Sequence, residues 1–174
     1  MNEIIKVIES RRSVRKYTSQ MPAESDIEQI IEAGLFAPSA MGKQETAILA
    51  ITNKELRDRI SKMNAKIMGH DGFDPFYGAP VILIVLGKKE WANRVYDGSL
   101  VMENLMLAAH SLGLGSIWIH RAREEFESEE GKAILKELGI NDEWEGIGHC
   151  AIGYAEGELP KAAPRKDGRV FWVK

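Results

Sequence analysis

Apolar positions recur along this chain with two periods, and the change of period marks the elements. Ile4, Ile5 and Ile8 share one helical face behind Asn2, so a short capped helix is predicted over residues 3–10. Ile27, Ile30, Ile31 and Leu35 give the buried stripe of a second helix, which starts after Pro22. It must end before Pro38, because the residue ahead of a proline disfavours the helical region. A third helix begins at Asn53, carries Leu56, Ile60, Met63 and Ile67 on its stripe, and stops at Gly69. A long helix is expected from about Trp91 to Leu112. It is nearly all apolar over residues 100–109 apart from Glu103 and Asn104, which suits the protein centre or a subunit interface. Residues 128–138 form an amphipathic helix closed by Gly139.

Between these helices lie four strand-like stretches: residues 47–52, 81–86, 116–120 and 147–154. Residues 81–86 are apolar without alternation, which predicts a strand buried on both faces. His70 to Gly78 reads as a loop holding three aromatics. Residues 156–166 are a polar, proline-containing connector to an apolar end, Val170-Phe171-Trp172-Val173. Chain ends fray unless tied down, so this aromatic end is expected to pair with a sheet edge, in its own subunit or in a partner. With no internal repeat, low-complexity segment or linker, residues 1–174 are expected to form a single domain.

Composition narrows the function classes. The net charge of -3 and the pI of about 5.9 argue against general nucleic-acid binding. A lone cysteine, Cys150, excludes an internal disulfide framework and fits a reducing compartment. The N-terminus has no apolar run behind a basic cap, and the longest apolar run is far too short to span a bilayer. The expectation is a cytoplasmic protein with neither membrane nor nucleic acid as partner.

Against that acidic background, residues 10–17 (Ser-Arg-Arg-Ser-Val-Arg-Lys-Tyr) concentrate Arg11, Arg12, Arg15 and Lys16 beside Ser13. Guanidinium forks and a hydroxyl suit a phosphate. A solvated basic loop or a basophilic kinase target fits the same octapeptide. Gly113-Leu114-Gly115 follows a helix and precedes a strand, the reverse of a dinucleotide fingerprint. The four histidines lack zinc-site spacing, and no metal is expected. His149 and Cys150, adjacent in a strand, should point to opposite faces, in core roles. Ser39 lies outside any nucleophile elbow. Trp118 fits a core aromatic, or else a strand end, Ile119-His120-Arg121, that presents backbone groups to a planar ligand.

Taken together these stretches resemble the nitroreductase family of FMN-dependent oxidoreductases. The motifs occur in the family's order over essentially the whole chain. They are Arg-Arg-Ser-x-Arg at 11–15, Ala-Pro-Ser-Ala-x-x-x-Gln at 37–44, and Gly-Ala-Pro at 78–80. Leu-Gly-Leu-Gly-Ser-x-Trp-Ile follows at 112–119, then Ile-Gly-Tyr at 152–154 and a basic Pro-Arg-Lys at 164–166. The resemblance implies an α+β fold: a three-layer sandwich with a mostly antiparallel central sheet flanked by helices, in an intertwined homodimer. FMN would lie at the subunit interface.

By the same resemblance, Arg11 and Arg165 bind the FMN phosphate, with Arg12 and Lys166 beside them. Ser13 meets the ribityl chain, and Arg15 the pyrimidine end. Pro38, Ser39, Ala40, Met41 and Gly42 come from the other subunit, with Gln44 in the same loop. Trp118, Ile119 and His120 lie along the flavin near N5. NADH or NADPH would reduce FMN, and a nitroaromatic, quinone or related acceptor would reoxidise it in a ping-pong cycle. No side chain is named as catalytic. The alternatives are an FMN carrier or sensor without turnover, or a variant acting in reductive dehalogenation or flavin breakdown. Gly42 stands where the family loop carries Asn, and Glu45-Thr46 where it carries Pro-Trp. These departures, and a compact chain with a more open channel, bear on substrate identity more than on FMN.

Overall fold

A computed structural model describes residues 2–141 and 143–174. The helices are α1 (Glu3–Ser10), α2 (Glu24–Leu35), α3 (Lys54–Met68), α4 (Arg94–Ser111), α5 (Ala122–Glu127) and α6 (Glu129–Glu137). The strands are β1 (Thr46–Ile51), β2 (Val81–Lys88), β3 (Gly115–Ile119) and β4 (Trp144–Gly153). They form one antiparallel sheet in the order β1-β2-β4-β3.

β2 explains the layering. Its residues Val81 to Leu86 are buried on both faces, as its unbroken apolar run predicts. Ile82, Ile84 and Leu86 face a core shared with Ile60 and Met63 of α3, Phe126 of α5 and Ile134 of α6. Val81, Leu83 and Val85 face the opposite core, with Ile27 and Ile30 of α2 and Val101, Met102 and Leu105 of α4. The result is helices, sheet, helices: the expected α+β sandwich.

Local chemistry sets the ends. Asn2, Asn53 and Ser128 accept from the first-turn amides of Ile4, Leu56 and Gly131, at 2.9, 2.9 and 3.0 Å. Gly69 stops α3 in the left-handed conformation, at φ 73. His149 and Cys150 do point to opposite faces: the imidazole packs on Phe76 and the thiol joins the α4 side.

The structure departs from expectation at the surface. Leu35, read as the end of a buried stripe, is 55% exposed, and Ile67 is also exposed. Periodicity marks a face but not where the neighbouring layer stops. α1 buries none of its residues within the chain, so Ile4, Ile5 and Ile8 stand open. The apolar end is not a strand here; Phe171 is 90% and Trp172 79% exposed. α5 was not foreseen, because six residues carry too little periodicity to register.

Candidate functional site

Residues 11–17 leave α1 and run as an extended segment beside β3. Ser13 bridges Ser116 in parallel and the Val14 amide donates to the Ser116 carbonyl at 3.0 Å. Tyr17 bridges Ala155 antiparallel, and Glu156 donates its amide to the Lys16 carbonyl at 2.9 Å. Val14 and Tyr17 are buried and pin the segment, while Arg15 stays exposed. The close seating requires glycine at 115, where a Cβ would come within 2.6 Å of Val14. Burial, above all, pushes the Tyr17 phenol far above its usual range.

The basic residues divide the work. Arg12 turns back on its own helix, donating to the carbonyls of Glu9 and Arg11 at 2.8 and 2.7 Å, and so closes α1. Arg11 holds a buried Nη1 with no hydrogen-bond partner among the described residues. His110, unforeseen from sequence, ends α4 against this cluster, with Nε2 2.8 Å from Ser10 Oγ. Burial, then the charges of Arg11 and Arg12, push its pKa down. A cationic corner that disfavours a further proton is one that favours an anion.

At the far end of β3, Ile119 is buried, His120 is exposed, and the Trp118 and His120 rings lie 5.8 Å apart. The Trp118 indole N–H is buried without a partner among the described residues. The carbonyls of Ile119 and His120 are held by His149 and Asn64, two residues with no sequence signal of a site.

Pro38 to Gln44 make a second tight feature, before β1. Met41, Gly42 and Gln44 all take positive φ, at 54, 64 and 55. Such backbone persists where its surroundings over-determine it. Here the buried Asp97 carboxylate accepts from the Ala40 amide at 3.0 Å and from the Trp91 indole at 2.8 Å, and Ser39 Oγ accepts from the Gln44 amide at 3.0 Å. Met41 projects to solvent.

The two features lie at opposite corners of the sheet. Thr46 pairs across to Gly87 and Glu145, whereas Ser13 reaches Ile152 through Ser116. Seven residues along β4 and four strand spacings across separate them by roughly 30 Å. The chain therefore does not bring its own Arg11-to-Arg15 segment and its own 38–42 loop together. Arg165 and Lys166 sit on the exposed tail. The start of that tail, at Glu158, Leu159 and Pro160, closes a cavity of about 330 Å³ with Ser13 and Arg15. Among the described residues, no group of three His, Cys, Asp or Glu is arranged to hold a metal, and no helix is long and apolar enough to cross a membrane.

Residues 8–154 match the model of the Nitroreductase family. An Archaeoglobus fulgidus protein whose name joins NADH dehydrogenase and NAD(P)H nitroreductase is 31% identical over 161 residues, 91% of this chain and 88% of that one. The FMN reductase [NAD(P)H] of Bacillus subtilis is 30% identical over 71% of this chain and 56% of its own length. The crystal structure of a nitroreductase with bound FMN from Bacteroides fragilis NCTC 9343 matches all of both chains, with 32% identity and a TM-score of 0.90. An iodotyrosine deiodinase crystallised with FMN and 3-iodo-L-tyrosine is 18% identical with a TM-score of 0.77, a likeness of fold alone.

Proposed function

The chain belongs to the nitroreductase family, and from that premise we propose that it is an FMN-dependent oxidoreductase. It takes electrons from NADH or NADPH and passes them to a small acceptor of the nitroaromatic or quinone kind. Residues 1–174 act as one FMN-binding unit and pair as a homodimer in the cytoplasm. The observation that carries the reading is the buried Arg11 Nη1 left without a partner. A charged donor in a dry setting costs free energy until an anion meets it. Arg11 suits the FMN phosphate, Ser13 the ribityl chain, and Arg15 the pyrimidine edge.

Bound FMN supplies the two-electron chemistry. The protein's part is position and charge. Arg15 brings positive charge to the edge where negative charge gathers on reduction, which favours the reduced form. The backbone at Ile119 and His120 lines the reactive edge and excludes water. The 38–42 loop, out of reach within one chain, serves the site of a second copy. The open face of α1 supports that pairing: Ile4 and Ile8 border a groove of about 340 Å³ with Ala33 and Leu107. In the dimer, Arg165 and Lys166 on the tail come over the phosphate. Burial raises the Cys150 thiol to about 12, so it stays protonated and takes no part.

The test is the absorbance spectrum of the purified protein, followed by identification of the released flavin. Yellow protein releasing FMN and not FAD is expected, with bleaching on anaerobic addition of NADH or NADPH. Colourless protein that takes up no FMN overturns the proposal. Yellow protein that neither nucleotide bleaches leaves a carrier or sensor in its place.

A further inference from the structure

Behind the end of β3 lies a buried polar knot that the cofactor reading leaves unused. His149 of β4, Glu125 of α5 and Asn64 of α3 are each fully buried. His149 Nε2 lies 2.5 Å from Glu125 Oε2, and its Nδ1 lies 3.1 Å from the Ile119 carbonyl oxygen. A carbonyl only accepts, so Nδ1 carries the hydrogen and donates it to Ile119. Asn64 Nδ2 donates to the next carbonyl, that of His120, at 2.9 Å. Asn64 Oδ1 accepts from Arg121 Nε, also at 2.9 Å. Arg121 itself is held at φ 80, in the left-handed region.

As a contribution to stability this is a poor use of core space. A buried acid–imidazole pair rarely outdoes apolar side chains of equal volume. Glu125 Oε1 is also buried without a partner among the described residues, which adds a desolvation cost. The surrounding core is otherwise apolar, with Phe76 tilted over the imidazole at 5.2 Å. What the knot does is grip two successive carbonyls. Because peptides are planar, that grip sets both the 119–120 and the 120–121 peptide planes.

We propose that His149 and Asn64 are positioning residues for the flavin chemistry, with Glu125 orienting the imidazole. They fix the two peptide planes against which the reactive edge of FMN lies. The inference rests on the FMN reading and deepens it. It makes the end of β3 a rigid rail, so loosening it should misplace the flavin without releasing it.

The experiment compares the FMN-loaded wild type with His149→Leu, Asn64→Leu and His149→Asn. Asn keeps a donor where Nδ1 stood. The two Leu variants should keep FMN affinity within about threefold. They should alter the visible circular dichroism of the bound flavin and lower kcat about tenfold or more at unchanged acceptor KM. His149→Asn should recover the wild-type spectrum and most of kcat. Should His149→Leu fail to fold, Asn64→Ser is too short to reach His120 and carries the same expectation. Unmoved spectrum and kcat in the Leu variants overturn the positioning role alone. So does a loss of FMN and thermal stability together that Asn does not restore. A wild type that takes up no FMN overturns the cofactor reading, and this role with it.

Discussion

The buried Nη1 of Arg11 makes a quantitative demand. A charge-assisted hydrogen bond contributes roughly 1.5–3 kcal/mol, so Arg11→Ala should weaken FMN binding about ten- to hundredfold. Riboflavin, lacking the phosphate, should bind wild type and variant alike. Fluorescence titration with both ligands checks this, and equal weakening would place Arg11 elsewhere. At this scale the sequence was informative where charge was concentrated. Arg11, Ser13 and Arg15 stand out on an acidic chain. Arg12 looked identical to them, yet its guanidinium closes α1, because two open carbonyls lay within its reach. His149, Glu125 and Asn64 were illegible for a different reason. Each sits singly in an otherwise structural stretch, and the partners of their side chains lie 24 to 57 residues away. Local pattern holds no trace of such pairings.

Between elements, the seating of the basic segment on β3 turns on Gly115. A methyl group there meets Val14 at 2.6 Å, and the neighbour is a stiff β-branched side chain in a packed site. Gly115→Ala should destabilise the fold by about 1–3 kcal/mol and lower FMN affinity as the segment shifts. Adding Val14→Ala should restore both. Thermal melts and flavin titrations of the single and double variants decide it, and a neutral single variant would show that the segment seats elsewhere. The elements themselves were legible: among the described residues, all four strands and five of the six α-helices follow from periodicity, caps and glycine stops. What periodicity lacked was the edge of each layer. It named Leu35 and Ile67 as inward residues, although both stand exposed. The same lack hid the 3₁₀ turn at Ala40–Gly42, whose shape comes from an Asp97 carboxylate 57 residues on.

For the whole molecule, the open α1 face and the exposed Phe171 and Trp172 are apolar surface looking for cover. Burial of such surface stabilises by about 25 cal/mol per Å². Deleting residues 169–174 should therefore weaken the proposed dimer and flavin retention together. Light scattering and flavin occupancy on the shortened chain measure both, and an unchanged dimer with full flavin would count against a crossing tail. The sequence pointed toward such pairing through the apolar residues 100–109 and the aromatic end at 170–173, but periodicity alone does not distinguish cover by a second copy from cover by the chain itself.

The roughly 30 Å between the Arg11 segment and the 38–42 loop has a genetic consequence. If every site draws one part from each copy, two different defective chains can repair one another. Let one chain carry Arg11→Ala and the other Asp97→Ala, which frees the loop. In a mixed pair, both lesions fall in one site, and the other site inherits two sound halves. Co-expression should thus return working flavin sites that neither allele yields alone, approaching about a quarter of the wild-type number for random two-fold pairing. Sites confined to single chains would show no such rescue in a mixture at all.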